Sequence, residues 1–126
     1  MSIHKWSTEE LNKISGADDL KISPFRDDGV TYGTPTWIWN VAVDGELYVR
    51  AYHGQNSKWH KSAMKQKAGR IHAAGMIKDV SFEPVEGSIN AQIDKAYQAK
   101  YKGSPYLNSM ISEKTKLATV RILERV

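Results

Sequence analysis

Apolar positions along this chain alternate between helical spacing and a spacing of two, and the changes of period mark its elements. Ser7-Thr8-Glu9-Glu10 has the capping-box pattern, in which the Ser7 hydroxyl takes the Glu10 amide and Glu10 reaches back. The helix it opens presents Leu11 and Ile14 and stops at Gly16. Leu20-Lys21-Ile22-Ser23 alternates as a strand and ends at Pro24, before a polar turn region from Phe25 to Pro35. The clearest signal is the pair of alternating runs Thr36 to Val43 and Glu46 to Tyr52 around Asp44-Gly45, which predicts a hairpin with a two-residue type I′ turn. That turn sets the register: Val43 faces Glu46, Val41 faces Tyr48, Trp39 faces Arg50 and Trp37 faces Tyr52. Ser57 is placed to cap a helix running to about Gln66. Strands follow at Arg70 to Ala74 and Met76 to Pro84, with the turn at Gly75, then a helix over Ile89 to Lys102 and a final strand at Thr119 to Leu123. Tyr106 to Glu113 has no readable period.

One face of the predicted hairpin is Ile38, Asn40, Ala42, Leu47, Val49 and Ala51, small enough for a tight barrel interior. The other is Trp37, Trp39, Val41, Tyr48, Arg50 and Tyr52. So large an aromatic surface needs a helix, a second subunit or a flat ligand over it. Most neighbours in this element order are antiparallel, which argues for an α+β domain with a small barrel.

At 126 residues the chain reads as one domain, 1–126, able to build a core without metal or disulfide support. It has no cysteine, so no disulfide or thiolate metal site is available. The segment after Met1 lacks the apolar run of a secretion signal, and no run is long enough to cross a bilayer, so a soluble cytoplasmic protein is expected.

Charge changes the picture more. Leu47 to Lys78 contains no acidic residue and seven basic ones: Arg50, Lys58, Lys61, Lys65, Lys67, Arg70 and Lys78. The whole chain is +4, so everything outside these seven is net −3, and an anionic partner for this segment is the natural inference. Within it, Tyr52-His53-Gly54-Gln55-Asn56-Ser57-Lys58-Trp59 reads as strand end, glycine loop and helix start, a place where backbone N–H groups and a lysine can hold a phosphate. Each feature also has a plainer reading. Lys58, Lys61 and Lys65 share a helix face that water alone could solvate. Arg50 could make a structural cation–π contact or aim at an anion. Trp37 and Trp39 could form a helix or subunit contact or stack a ring. His53, His60 and His72 have no clustered carboxylates, which argues against a metal site. No nucleophile–base order or paired carboxylates support hydrolysis.

Several short stretches taken in order carry a family resemblance. They are Trp6 with Leu11 and Ile14, Arg26-Asp27-Asp28-Gly29, Thr36-Trp37-Ile38-Trp39, Leu47-Tyr48-Val49-Arg50, Gly54 with Trp59, Gly69-Arg70-Ile71, Gly75, and Tyr97-Gln98-Ala99-Lys100-Tyr101. In these the chain resembles the bacterial domain of unknown function family 2255. That family is similar to flavin- and deazaflavin-binding split barrels, the group of pyridoxamine phosphate oxidase and the deazaflavin-dependent nitroreductases. The resemblance implies a six-stranded antiparallel split β-barrel with flanking helices, of the FMN-binding type, paired as a homodimer with FMN or a deazaflavin in a groove at the interface. Ser57 and Lys58 fall where the wider group binds the cofactor phosphate, with Gly54 in the preceding loop. The Ser-Arg-Lys signature of the oxidases is reduced here to Ser57-Lys58-Trp59, and no residue matches a catalytic group. The candidate cofactor-binding residues are Thr36, Trp37, Arg50, Tyr52, His53, Gly54, Ser57, Lys58, Trp59 and Lys61. The function expected is a flavin- or deazaflavin-binding oxidoreductase-type protein whose redox chemistry belongs to the cofactor. The alternative is a non-enzymatic module for another phosphorylated or acidic small molecule. Nucleic-acid binding ranks third, because +4 is modest and no nucleic-acid motif appears.

Overall fold

The computed structural model describes residues 3–125. Ser7 caps the first helix, α1 (Thr8–Ser15): its Oγ accepts the Glu10 amide at 3.2 Å, and its hydroxyl donates to the Glu10 carboxylate at 3.4 Å. Leu11 and Ile14, three apart, point inward and are buried. The strands are β1 (Ile3–His4), β2 (Lys21–Pro24), β3 (Thr36–Trp37), β4 (Asn40–Val43), β5 (Glu46–Arg50), β6 (Ala68–Ala73), β7 (Met76–Pro84) and β8 (Thr119–Arg125). The remaining helices are α2 (Lys58–Gln66), α3 (Ile89–Lys100), α4 (Leu107–Met110) and α5 (Glu113–Lys116), with a single 3₁₀ turn at Gly54–Asn56.

All pairings are antiparallel. The order across the sheet is β3-β2-β6-β7-β8-β5-β4, with β1 added to β8. The two ends of that path are successive pieces of one segment, separated only by Ile38 and Trp39. The sheet therefore curls until its edges are joined by the chain itself. The Ile38 amide, donating to Leu20 O at 3.0 Å, continues the β2–β3 pairing toward the gap.

The hairpin register holds where the two strands pair: Val43 opposes Glu46 and Val41 opposes Tyr48. Asp44 and Gly45 both have positive φ, 51° and 79°, as a type I′ turn requires. The pairing does not extend to Trp39 and Trp37. It ends at Asn40 opposite Val49, and Trp37 pairs with Lys21 of β2 instead. One extended segment thus serves two neighbouring strands, and the break at Ile38-Trp39 is where it changes partner. The unreadable stretch after Tyr106 contains α4, and the helix predicted to reach Lys102 ends at Lys100.

The two faces of the hairpin enter two cores. Leu47 and Val49 pack with Leu20, Ile22, Ile71, Val80, Phe82, Val120 and Ile122 within the curl, closed by Leu11 and Ile14 of α1. The Trp6 indole N–H donates to Ile122 O at 2.8 Å and secures the N-terminal end of this core. Val41 and Tyr48 on the opposite face pack against Ile93, Tyr97 and Tyr101, with Trp39 partly buried beside them. Much of the aromatic face is therefore covered by the chain's own α3 and the residue that follows it.

Candidate functional site

What α3 leaves uncovered is a cavity of about 540 Å³. Its wall includes Trp37, Trp39, Arg50, Tyr52, Tyr101 and Tyr106, together with Asp18, Ile38, Ser104 and Met110. Trp39 and Tyr101 lie face to face with centroids 3.9 Å apart and planes 4° from parallel, forming a fixed aromatic wall. The Trp37 indole is tethered by its N–H to Asp18 O at 2.8 Å. Tyr52 meets Tyr106 edge-on at 6.0 Å. Trp37, Tyr52 and Tyr106 form an open rim, 52%, 39% and 57% exposed.

Polar groups behind this wall are heavily committed. The Arg50 guanidinium is fully buried, and its Nε donates to Thr119 Oγ1 at 3.0 Å. Nη1 donates to Asp94 Oδ1 at 2.5 Å and Met110 O at 3.1 Å, and Nη2 to Asn90 Oδ1 at 2.9 Å and Asn90 O at 3.3 Å. A guanidinium has five N–H groups, and these contacts engage them all. The expectation that Arg50 aims at a phosphate is corrected: its ion pair is with Asp94, whose other oxygen meets Lys116 at 3.1 Å. Its alternative reading, a structural cation–π contact, is closer: the guanidinium carbon lies 5.4 Å from the Tyr97 ring centroid.

Lys100 donates to Ala17 O, Asn40 O and Asn40 Oδ1 at 2.9, 2.8 and 3.2 Å. Burial pushes its pKa down. Tyr101 Oη donates to Asp18 Oδ1 at 3.1 Å and accepts the Asn40 amide at 3.1 Å; burial is the main cause of its raised pKa. Asp18, Tyr101 and Tyr106 were not among the candidate cofactor-binding residues, although Tyr101 belongs to a stretch that carries the family resemblance. The signal available was the i, i+4 spacing of Tyr97 and Tyr101 across the end of α3.

The predicted phosphate loop has a different logic. Gly54 has φ of +73°, and a Cβ there would lie 2.6 Å from Lys114 Cγ. Its amide donates to Ala51 O at 2.8 Å. The positive φ favours glycine at this turn, and the Lys114 side chain of α5 packs against it. His53 is exposed and meets the Tyr52 ring edge-on. Ser57 stands at the N-cap of α2 in extended conformation, without a capping bond from its side chain.

Lys58 and Trp59 line a second cavity of about 340 Å³ with Arg26, Thr34, Thr36 and Ser62. Thr36 and Trp37, adjacent on β3, therefore belong to different cavities, one polar and one aromatic. The basic segment itself is largely answered from within. Arg50 pairs with Asp94, Lys65 with Asp27, Arg70 with Asp79, and Lys78 with Glu10 and Glu124. Among the described residues Lys58, Lys61 and Lys67 make no ion pair, and all three belong to α2 or its C-cap. No group of three or more His, Cys, Asp or Glu side chains gathers as a metal site among the described residues. No helix among them is long and apolar enough to cross a membrane.

A family model described as an uncharacterized protein conserved in bacteria (DUF2255) matches residues 10–122, and the chain belongs to that family. No curated protein sequence matches it. The structure is similar to the conserved hypothetical protein Rv2991 from Mycobacterium tuberculosis, with a TM-score of 0.63 and 16% identity over 98% of this chain and 83% of that one. It is also similar to a FAD-binding protein (mll6688) from Mesorhizobium loti, with a TM-score of 0.52 and 16% identity over 100% of this chain and 95% of that one. At such identities the likeness is one of fold.

Proposed function

We propose that this member of the bacterial family is a small flavin-binding protein of oxidoreductase type, with FMN or a deazaflavin as the natural candidates. The observation carrying the reading is the aromatic cavity of about 540 Å³. Sites for small ligands commonly measure roughly 300–1,000 Å³ and combine apolar walls with few polar groups. The stacked Trp39–Tyr101 pair would form one wall beside a tricyclic ring, Trp37 and Tyr52 would cover it, and Lys58, Arg26 and Thr36 in the polar cavity would receive a phosphate. A bound flavin would supply hydride or electron transfer; these residues would orient its ring and keep water from it. The fold likeness to a FAD-binding protein supports the reading. So does the curled antiparallel sheet: counting Thr36–Val43 as one bent strand and setting β1 aside would give the six strands that a split barrel needs. A second copy closing over the exposed rim of Trp37, Tyr52 and Tyr106 completes this reading as a homodimer.

The test is titration of the protein with FMN, FAD, riboflavin and a deazaflavin, following quenching of flavin and tryptophan fluorescence. Saturable binding is expected, weakened about tenfold or more in Trp37→Ala, since ring stacking contributes about 0.5–1.5 kcal/mol and the lost burial more. If none of the four quenches or raises the melting temperature at millimolar concentration, on the order of a thousand times a micromolar affinity, the reading is wrong. Lys58, which lines the polar cavity and makes no ion pair among the described residues, favours a second reading, a module for another phosphorylated small molecule. Stabilisation by such ligands without any flavin effect would select it.

A further inference from the structure

Two residues of charged type line the aromatic cavity, Arg50 and Asp18, and they differ in what they have left to offer. Arg50 has no free N–H, and its charge is matched by Asp94. Asp18 makes one side-chain contact: Oδ1 accepts the Tyr101 hydroxyl at 3.1 Å. Its Oδ2 has no hydrogen-bond or ion-pair partner among the described residues. The neighbouring ammonium of Lys100 is held by the three oxygens of Ala17 and Asn40, at 2.8–3.2 Å, and makes no salt bridge to Asp18. The carboxylate is also well placed. Its main-chain carbonyl holds the Trp37 indole at 2.8 Å, and its side chain holds Tyr101, which stacks on Trp39. Asp18 is thus tied to both aromatic walls while keeping one oxygen free.

An ionised carboxylate only accepts hydrogen bonds. Beside a flat ring it disfavours edges bearing carbonyl oxygen or negative charge and favours an N–H, with the strength of a charge-assisted bond. We propose that Asp18 determines the specificity of this cavity by accepting a hydrogen bond from an N–H on the edge of the planar ring bound there. The inference builds on the flavin reading, in which the donor is the imide N–H shared by flavins and deazaflavins. Guanine-type rings present the same chemistry, so the two sources need separate arms.

Wild type and Asp18→Ala are each titrated with riboflavin and N3-methylriboflavin, and with guanosine and 1-methylguanosine. Asp18 is exposed, and the Tyr101 hydroxyl keeps Asn40 O as an acceptor at 3.3 Å, so the variant is expected to fold; its melting temperature checks this. In wild type, methylation is expected to weaken at least one pair about tenfold or more, the scale of a hydrogen bond to a charged group. In Asp18→Ala the same methyl group is expected to matter less than about threefold. Equal losses in both proteins overturn the proposal, because the methyl is then only bulky. If riboflavin binds and methylation changes nothing in either pair, the proposal falls and the flavin reading stands. If riboflavin fails to bind but the guanosine pair shows the Asp18-dependent loss, the flavin reading falls and the proposal stands. If no ring binds wild type, both fall.

Discussion

A buried arginine must find acceptors for all its N–H groups or destabilise the fold. Arg50 finds them on Asn90, Asp94, Met110 and Thr119. Removing it is expected to cost about 3 kcal/mol, the lower end for breaking a buried pair, because Lys116 still neutralises Asp94. Urea unfolding of Arg50→Ala measures this; a loss below about 1 kcal/mol would show the network to be incidental. The sequence left Arg50 between two roles because its partners lie at least 40 residues away, beyond any spacing rule. Gly54 was legible as a turn glycine, but Lys114, the side chain that crowds it, is equally remote. His60 gives a pH prediction. It is buried on α2, and burial first, then Lys67, holds its imidazole below the ordinary 6.5. Between that lowered value and 6.5 the unfolded chain binds the extra proton and the folded chain does not. This contribution to stability is therefore complete above pH 6.5 and declines as pH falls below it. Melting temperatures of wild type and His60→Gln from about pH 7 to about pH 5 should converge as the solution is acidified. Parallel curves would remove His60 from the account.

At the scale of elements, the hairpin shows how far local chemistry reaches. Asp44-Gly45 fixes turn and register together, and both are found as expected. The pattern could not reveal that the same alternating run changes partner at Ile38-Trp39, since Thr36 and Trp37 suit either neighbour. Nor could it reveal α4 and α5, four residues each, which are too short to be set by propensity and rest on contacts such as Thr115 Oγ1 to Ser109 O at 3.0 Å. The β2–β6 pair carries a sharper requirement. A Cβ on Gly69 would lie 2.5 Å from Ser23 O and 2.6 Å from Pro24 Cα, both main-chain atoms. Neither can swing aside, so Gly69→Ala is expected to part the two strands and lose about 1–3 kcal/mol, the range for overpacking. Gly75→Ala is the control for space: nothing lies within 4 Å there, and its loss should come from the positive φ of 77° alone. Equal urea midpoints for Gly69→Ala and wild type would refute the close approach.

For the whole molecule, the concentration of positive charge was legible and its partner was not. Four of the seven basic residues meet carboxylates of this same chain, because the sheet brings Asp79 and Glu124 to them, α3 brings Asp94, and the loop and α1 bring Asp27 and Glu10. Folding itself answers most of the imbalance, leaving α2 as the basic surface. The aromatic face divides similarly, part covered by α3 and part left as the rim around the cavity. If that rim is where two copies meet, sedimentation at tens of micromolar (on the order of a working concentration) should give a dimer, and Trp37→Ala with Tyr106→Ala a monomer. A monomeric wild type would remove the second subunit from the proposal. The place of β8 has a consequence for how the protein is made. This strand lies between β7 and β5, and its residues are the last of the described chain to leave the ribosome. Until they emerge, the β6–β7 hairpin and the β4–β5 hairpin have no strand to join them, and their apolar faces stay open. At about 5–20 residues per second, the earliest hairpin waits on the order of several seconds in that state. The nascent chain should therefore depend on chaperones until Thr119–Arg125 is free, and stalled chains lacking that strand should remain sensitive to protease while those carrying it become resistant.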